Sequence, residues 1–175
     1  AALGMGFMFV EISMMQKMII FLGHPTYALS VVLASILGFA GLGSLVSGRL
    51  PLLRRRNLHL LTAIIVVLII VTGLVVRLLL PHLLGFSLAA RIAMAVIILM
   101  PTAFVLGMPF PLGIRMLERR CPQLLPWGWA INGFLSVFSS IFCVVLSMAI
   151  GFTWVFLLAA AVYLLGMLAV SRRLE

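Results

Sequence analysis

A chain of 175 residues that is 65% apolar and 9% charged, with no aspartate at all, cannot clothe a water-facing surface of ordinary size, so a soluble globular domain is excluded. The formal charge of +9 would suit a nucleic-acid binder, but the basic residues stand in gaps between long apolar runs and are not interleaved with exposed aromatics. They read as membrane-topology signals, and no nucleic acid is expected as a partner.

The composition predicts an all-α polytopic transmembrane bundle occupying 1–175 as a single module. About six crossings of roughly 20 residues each fill the chain. The first run, 3–22, is interrupted only by Glu11, Gln16 and Lys17, and Gly23-His24-Pro25-Thr26 supplies a turn with a proline ready to start the next helix. The opening on Ala1-Ala2-Leu3 carries no secretory signal and is expected of a piece of a longer protein whose soluble catalytic domain is absent. The second run spans 27–46 and ends on Ser47-Gly48-Arg49. The third, 60–80, is rich in Ile and Val and carries Arg77 near its end. The fourth, 89–108, has Pro101 in its middle, where the missing backbone donor predicts a kink. Pro109-Phe110-Pro111 stops it, and the connection to Pro126 carries Arg115, Glu118, Arg119 and Arg120 on a short amphipathic interfacial helix. The fifth run is 127–150, Gly151 makes a tight turn, and the sixth is 152–170.

Orientation follows from the cations, because translocating basic flanks is disfavoured. Arg49, Arg54, Arg55 and Arg56 lie between runs two and three, Arg115, Arg119 and Arg120 between four and five, and Arg172 and Arg173 in the tail. Those nine share one side, against Arg77 and Arg91 on the other, so both termini are expected in the cytoplasm. Trp127, Trp129 and Trp154 fall near helix ends, as an interfacial belt requires. The setting this implies is an integral protein of a bacterial inner membrane, with the lipid bilayer as its first partner.

Glu11 is the candidate for chemistry. A carboxylate near the bilayer centre costs at least ~2.5 kcal/mol unless it is paired or neutral, so it calls for either a coupling role toward a proton or cation, or a hydrogen-bonded role between helices. Lys17 stands six residues on, about 9 Å along the axis and roughly 120° around it, and cannot pair with Glu11 in a regular helix. It is expected to reach toward the outer interface, and Gln16 can hydrogen-bond either way. On the fifth run Asn132, Ser136, Ser140, Cys143 and Ser147 form a polar stripe that should face the bundle interior, as interhelical hydrogen bonds or as a hydrated path. On the second run Ser30, Ala34, Gly38, Gly41 and Gly48 share a small-residue face that predicts close helix packing. His24, His59 and His82 fall on separate connections, and Cys121 and Cys143 are too few and too distant for a metal centre or a disulfide framework. No metal is expected.

Several segments carry a family resemblance: Gly6-Phe7-Met8-Phe9-Val10-Glu11, Gln16-Lys17, Leu22 to Ser30, Gly41-Leu42-Gly43-Ser44, Gly48-Arg49-Leu50, Met108-Pro109-Phe110-Pro111-Leu112 and Trp129-Ala130-Ile131-Asn132-Gly133. Together they resemble the membrane module of fused spermidine synthase-like proteins, in which a multi-pass, major-facilitator-like bundle is joined to an aminopropyltransferase-like domain. The resemblance implies a cytoplasmic partner domain, or further transmembrane helices, with the decarboxylated S-adenosylmethionine-like cofactor and the polyamine held by that domain. This chain itself carries no cofactor and no catalytic residues on this reading, since its acids are Glu11, Glu118 and Glu175 and it has no Gly-rich cofactor loop. The expected function is therefore to anchor or regulate that domain in polyamine metabolism. The alternative is a half-bundle that transports a polyamine or other small cation, with Glu11 as the coupling site.

Overall fold

The computed structural model describes residues 2–50 and 55–171, which form seven α-helices and two short 3-10 turns, with no strand among them. Helix α1 is Ala2–Leu22, α2 Pro25–Ser47, α3 Arg55–Leu79, α4 Leu88–Leu106, α5 Pro109–Arg120, α6 Leu125–Ile150 and α7 Phe152–Ser171. All but α5 are long. Five helical segments are long and apolar enough to cross a bilayer, with Phe152–Gly166 as a shorter apolar stretch. This is an all-α integral membrane bundle.

Local chemistry sets the breaks. Gly23 takes φ +79°, a left-handed conformation that costs glycine nothing, and stops α1. His24 then caps α2, its Nδ1 accepting from the Thr26 backbone N–H at 3.3 Å, with Pro25 as the first helical residue. Gly151, at φ +85°, turns α6 into α7 in one residue. Helix α3 begins five residues before its apolar run does. Four of the five residues from Arg55 to His59 are polar but compatible with a helix, so hydropathy misses a turn that the backbone forms and that buries Leu58. Helix α4 continues through Pro101, whose ring lies on its exposed side. Helix α5 is the expected short amphipathic segment.

The long helices alternate in direction. Cross-helix bonds tie their ends: Lys17 Nζ donates to Thr153 Oγ1 at 2.8 Å, Arg91 to the Phe21 carbonyl at 2.9 Å, and Arg115 to the Ser47 carbonyl at 3.1 Å. The two arginines satisfy carbonyls in the last turns of α1 and α2, which no residue of those helices can reach. One end of the bundle, the basic end, therefore holds Arg49, Arg56, Arg115, Arg119 and Arg120. The other holds Lys17, Arg77 and Arg91. The predicted cations Arg54, Arg172 and Arg173 lie outside the described residues.

Neighbouring pairs α1/α2, α2/α4, α4/α3, α3/α7 and α7/α1 close a ring, and α6 lies outside it against α1. The ring is filled. Phe21, Met14, Met18, Ile36, Ile65, Ile69 and Phe156 are fully buried, and between Val10, Met14, Ile36, Thr72 and Leu99 only a void of ≈ 10 Å³ is left, about the least that holds one water.

Candidate functional site

The α2/α4 seam is where backbones meet. A Cβ on Gly43 would strike the Phe104 carbonyl, and one on Gly107 would strike the Ala40 carbonyl. The buried face of α2 is accordingly Ala28, Val32, Ser35, Ile36, Ala40, Gly43 and Ser47. The stripe of small residues expected to pack lies on the neighbouring face. Ser30, Ala34, Gly38 and Gly41 are exposed, and a Cβ at Gly38 or Gly41 would meet nothing within 4 Å among the described residues. Only Gly48 has a close neighbour across helices, the Arg115 guanidinium at 2.9 Å from the position of a Cβ. The stripe has the right spacing but faces away from α4, which is the helix that α2 approaches most closely.

Between α2 and α6, at the basic end, a groove of ≈ 310 Å³ runs over the N-terminal turns of α1. Its floor is Gly4 and Phe7, and its sides are Ala40, Gly41 and Ser44 on one hand and Asn132 and Ser136 on the other. Pro109 to Pro111 close one end, and Phe110 sets its ring edge-on to Trp129 at 4.8 Å between centroids. Gly4 has no side chain to hold α6 away, and a Cβ there would lie 2.7 Å from Ser136 Oγ. Gly6 likewise lets the Tyr163 ring lie against α1.

The polar stripe of α6 lies toward α1, with Cys143 and Ser147 buried and Asn132, Ser136 and Ser140 half-buried. Its hydroxyls mostly do not bridge helices, however. Ser136 donates to the Asn132 carbonyl, Ser140 to that of Val137 and Ser147 to that of Cys143, all within α6. In a low-dielectric setting a serine finds its own i−3 or i−4 carbonyl before it finds a neighbour. Among the described residues, the stripe reaches across helices through the long Ser13 Oγ to Cys143 Sγ contact at 3.9 Å. Between α3 and α4, Thr72 and Thr102 share a bond of 2.6 Å, a pairing that the sequence gave no reason to expect.

Glu11 is 6% exposed, and its Oε2 has no hydrogen-bond partner among the described residues. It lies four residues beyond Phe7 and seven beyond Gly4, on the face of α1 that floors the groove. Lys17 is engaged by Thr153 at the far end and Gln16 is half-buried there, so neither joins Glu11. Ser139, which the sequence reading passed over, is fully buried with an unpartnered Oγ. Among the described residues no three His, Cys, Asp or Glu side chains gather in one place.

The family models, the curated proteins and the solved structures contain no match to this chain.

Proposed function

We propose that this chain is the membrane module of a spermidine synthase-like protein. It sits in a bacterial inner membrane with its basic end in the cytoplasm, and anchors or regulates a cytoplasmic aminopropyltransferase-like domain. The observation that carries the reading is convergence. Four of the seven segments on which the resemblance rests contribute to a groove at the basic end, through Phe7, Gly41 and Ser44, Pro109 to Pro111, and Asn132, while 16–17 and 22–30 lie at the other end. The filled ring supports anchoring over conduction, since a void of ≈ 10 Å³ gives a polyamine no route through the middle.

The test is reconstitution. Membranes bearing the chain are mixed with the soluble domain of a spermidine synthase-like protein, and the domain is expected to sediment with them. Asn132→Leu together with Phe110→Ala should release it. Sedimentation equal to that with empty membranes would refute the anchoring role. Cysteines placed at Arg56 and His82 should be labelled from the cytoplasmic and the outer face respectively, and the reverse pattern would invert the module.

A second reading has its own support, the unpartnered Oε2 of Glu11. A carboxyl serving as interhelical glue should have its oxygens matched, whereas one that binds and releases a proton or cation needs a free oxygen. In liposomes with a labelled polyamine, Glu11→Gln should keep the fold and abolish uptake if this is a coupling site. Uptake unchanged in that variant, or no uptake by the parent chain, removes the reading.

A further inference from the structure

A second cavity, of ≈ 340 Å³, opens at the basic end between α1, α3, α5 and α7. Its wall is hydrocarbon: Leu58, Leu61 and Ile65 from α3, Leu112 and Met116 from α5, with the buried Tyr163 behind. The α5 wall runs out into a cation: Met116 is its last lining residue, and Arg119, at i+3, shares the face of Leu112 and Met116. Arg119 is exposed, and Glu118 is the one acid among the described residues of this end.

The occupant must therefore be apolar inside and anionic at the mouth. A free anion would leave the hydrocarbon wall unused, and a neutral lipid would leave Arg119 unused. The volume is at the lower end of the range for small-molecule pockets, about 300–1,000 Å³. Anionic phospholipids of the leaflet at the basic end have both parts, and basic pockets between transmembrane helices are suited to their headgroups.

We propose that this cavity is a binding site for one anionic phospholipid, with an acyl chain against Leu58, Ile65, Leu112 and Met116 and the headgroup phosphate drawn to Arg119. The site is separate from the α2/α6 groove and does not depend on what that groove does.

Native mass spectrometry of the purified chain tests it, using phosphatidylglycerol and phosphatidylcholine with identical acyl chains. One phosphatidylglycerol should be retained in preference. Arg119→Gln should weaken its retention about fivefold, the worth of one arginine near a membrane surface, and leave phosphatidylcholine unchanged. Gly113→Phe should displace it, because among the described residues a Cβ there meets only Leu3 Cδ1, at 3.8 Å, and Gly113 itself lines the cavity. Should Gly113→Phe fail to fold, phosphatidylglycerol carrying a photoreactive group at the acyl terminus replaces it, and the label is expected on 58–65 and 112–116. Equal retention of the two lipids, undiminished retention in folded Gly113→Phe, or label placed on Phe134, Phe138 and Ile141 of α6 instead would each overturn the proposal.

Discussion

Helices α2 and α6 both flank α1, yet they are held in opposite ways. Helix α2 presses its backbone onto α4 through Gly43 and Gly107, buries seven residues from Ala28 to Ser47, and has its last turn tied by Arg115. Helix α6 buries only Ser139, Cys143 and Ser147, and turns Phe134, Val137, Ile141 and Met148 outward, all more than half exposed. Lipid tails are as apolar as leucine, so an apolar face gains little by leaving lipid for protein. Attachment then depends on close packing and on hydrogen bonds that cross helices. The α2/α4 seam has the first at both Gly43 and Gly107, whereas the α1/α6 seam has it at Gly4, where a Cβ would lie 2.8 Å from the Asn132 carbonyl, and has little of the second. Helix α6 is thus the loosely held wall of the groove, and α2 is the fixed one.

The strongest way to break this contrast is to put a side chain into the tight seam. Gly43→Leu forces the new Cβ onto the Phe104 carbonyl, where backbone and not a flexible side chain must yield. It should cost about 3 kcal/mol or prevent assembly. Gly38→Leu, five residues away on the same helix, enters open space and should change the melting temperature in detergent little. Equal losses from the two would mean that the exposed stripe is the true packing face.

That pair of variants also locates the limit of the sequence reading. The helices were legible because apolar runs of membrane-crossing length are punctuated by Gly23-His24-Pro25, Pro109-Phe110-Pro111 and Gly151, and each of these acts where it stands in the chain. The seams were not. Ser30, Ala34, Gly38 and Gly41 form one small face of α2, but Ala28, Ser35, Ala40, Gly43 and Ser47 form another beside it. Helical spacing describes both equally, and only the position of α4 decides between them. Glu11 was legible for the same reason as the helices, since a charge in an apolar run is visible locally. Its lack of a partner, and the buried Ser139 nearby, are facts about neighbours and could not be read from spacing.

The contrast extends to hydrogen bonds between helices, one inside the ring and one between the ring and α6. Thr72 and Thr102 join α3 to α4 at 2.6 Å, whereas Ser13 and Cys143 join α1 to α6 at 3.9 Å through a weak sulfur partner. A double-mutant cycle of Thr72→Val with Thr102→Val should give a coupling of about 0.6 kcal/mol, the ordinary value for a bond between transmembrane helices. The cycle of Ser13→Ala with Cys143→Ala should give a coupling indistinguishable from zero. Reversed magnitudes would make α6 the better-bonded helix.

The smallest expected effect is at Ser139, and it has an unusual sign. Its hydroxyl is fully buried and its Oγ has no partner among the described residues, so the group has lost its hydration with nothing in return. Ser139→Ala removes one oxygen from that position and leaves the helix the better former of the two, so stability should rise by about 0.5 kcal/mol. Ser147→Ala is the matched control, because the Ser147 hydroxyl donates to the Cys143 carbonyl at 2.6 Å and its removal should not stabilise. The register of α1 against α6 gives the outcome a further meaning. Ser13 faces Cys143 at an offset of 130 in residue number, and Gly4 faces Asn132 and Ser136, so Ser139 is level with the turn of α1 between Phe7 and Glu11. A loss of stability in Ser139→Ala, removed in the Glu11→Gln background, would show that water joins the hydroxyl to the carboxyl. The loosely held seam would then be held at its middle by a polar link.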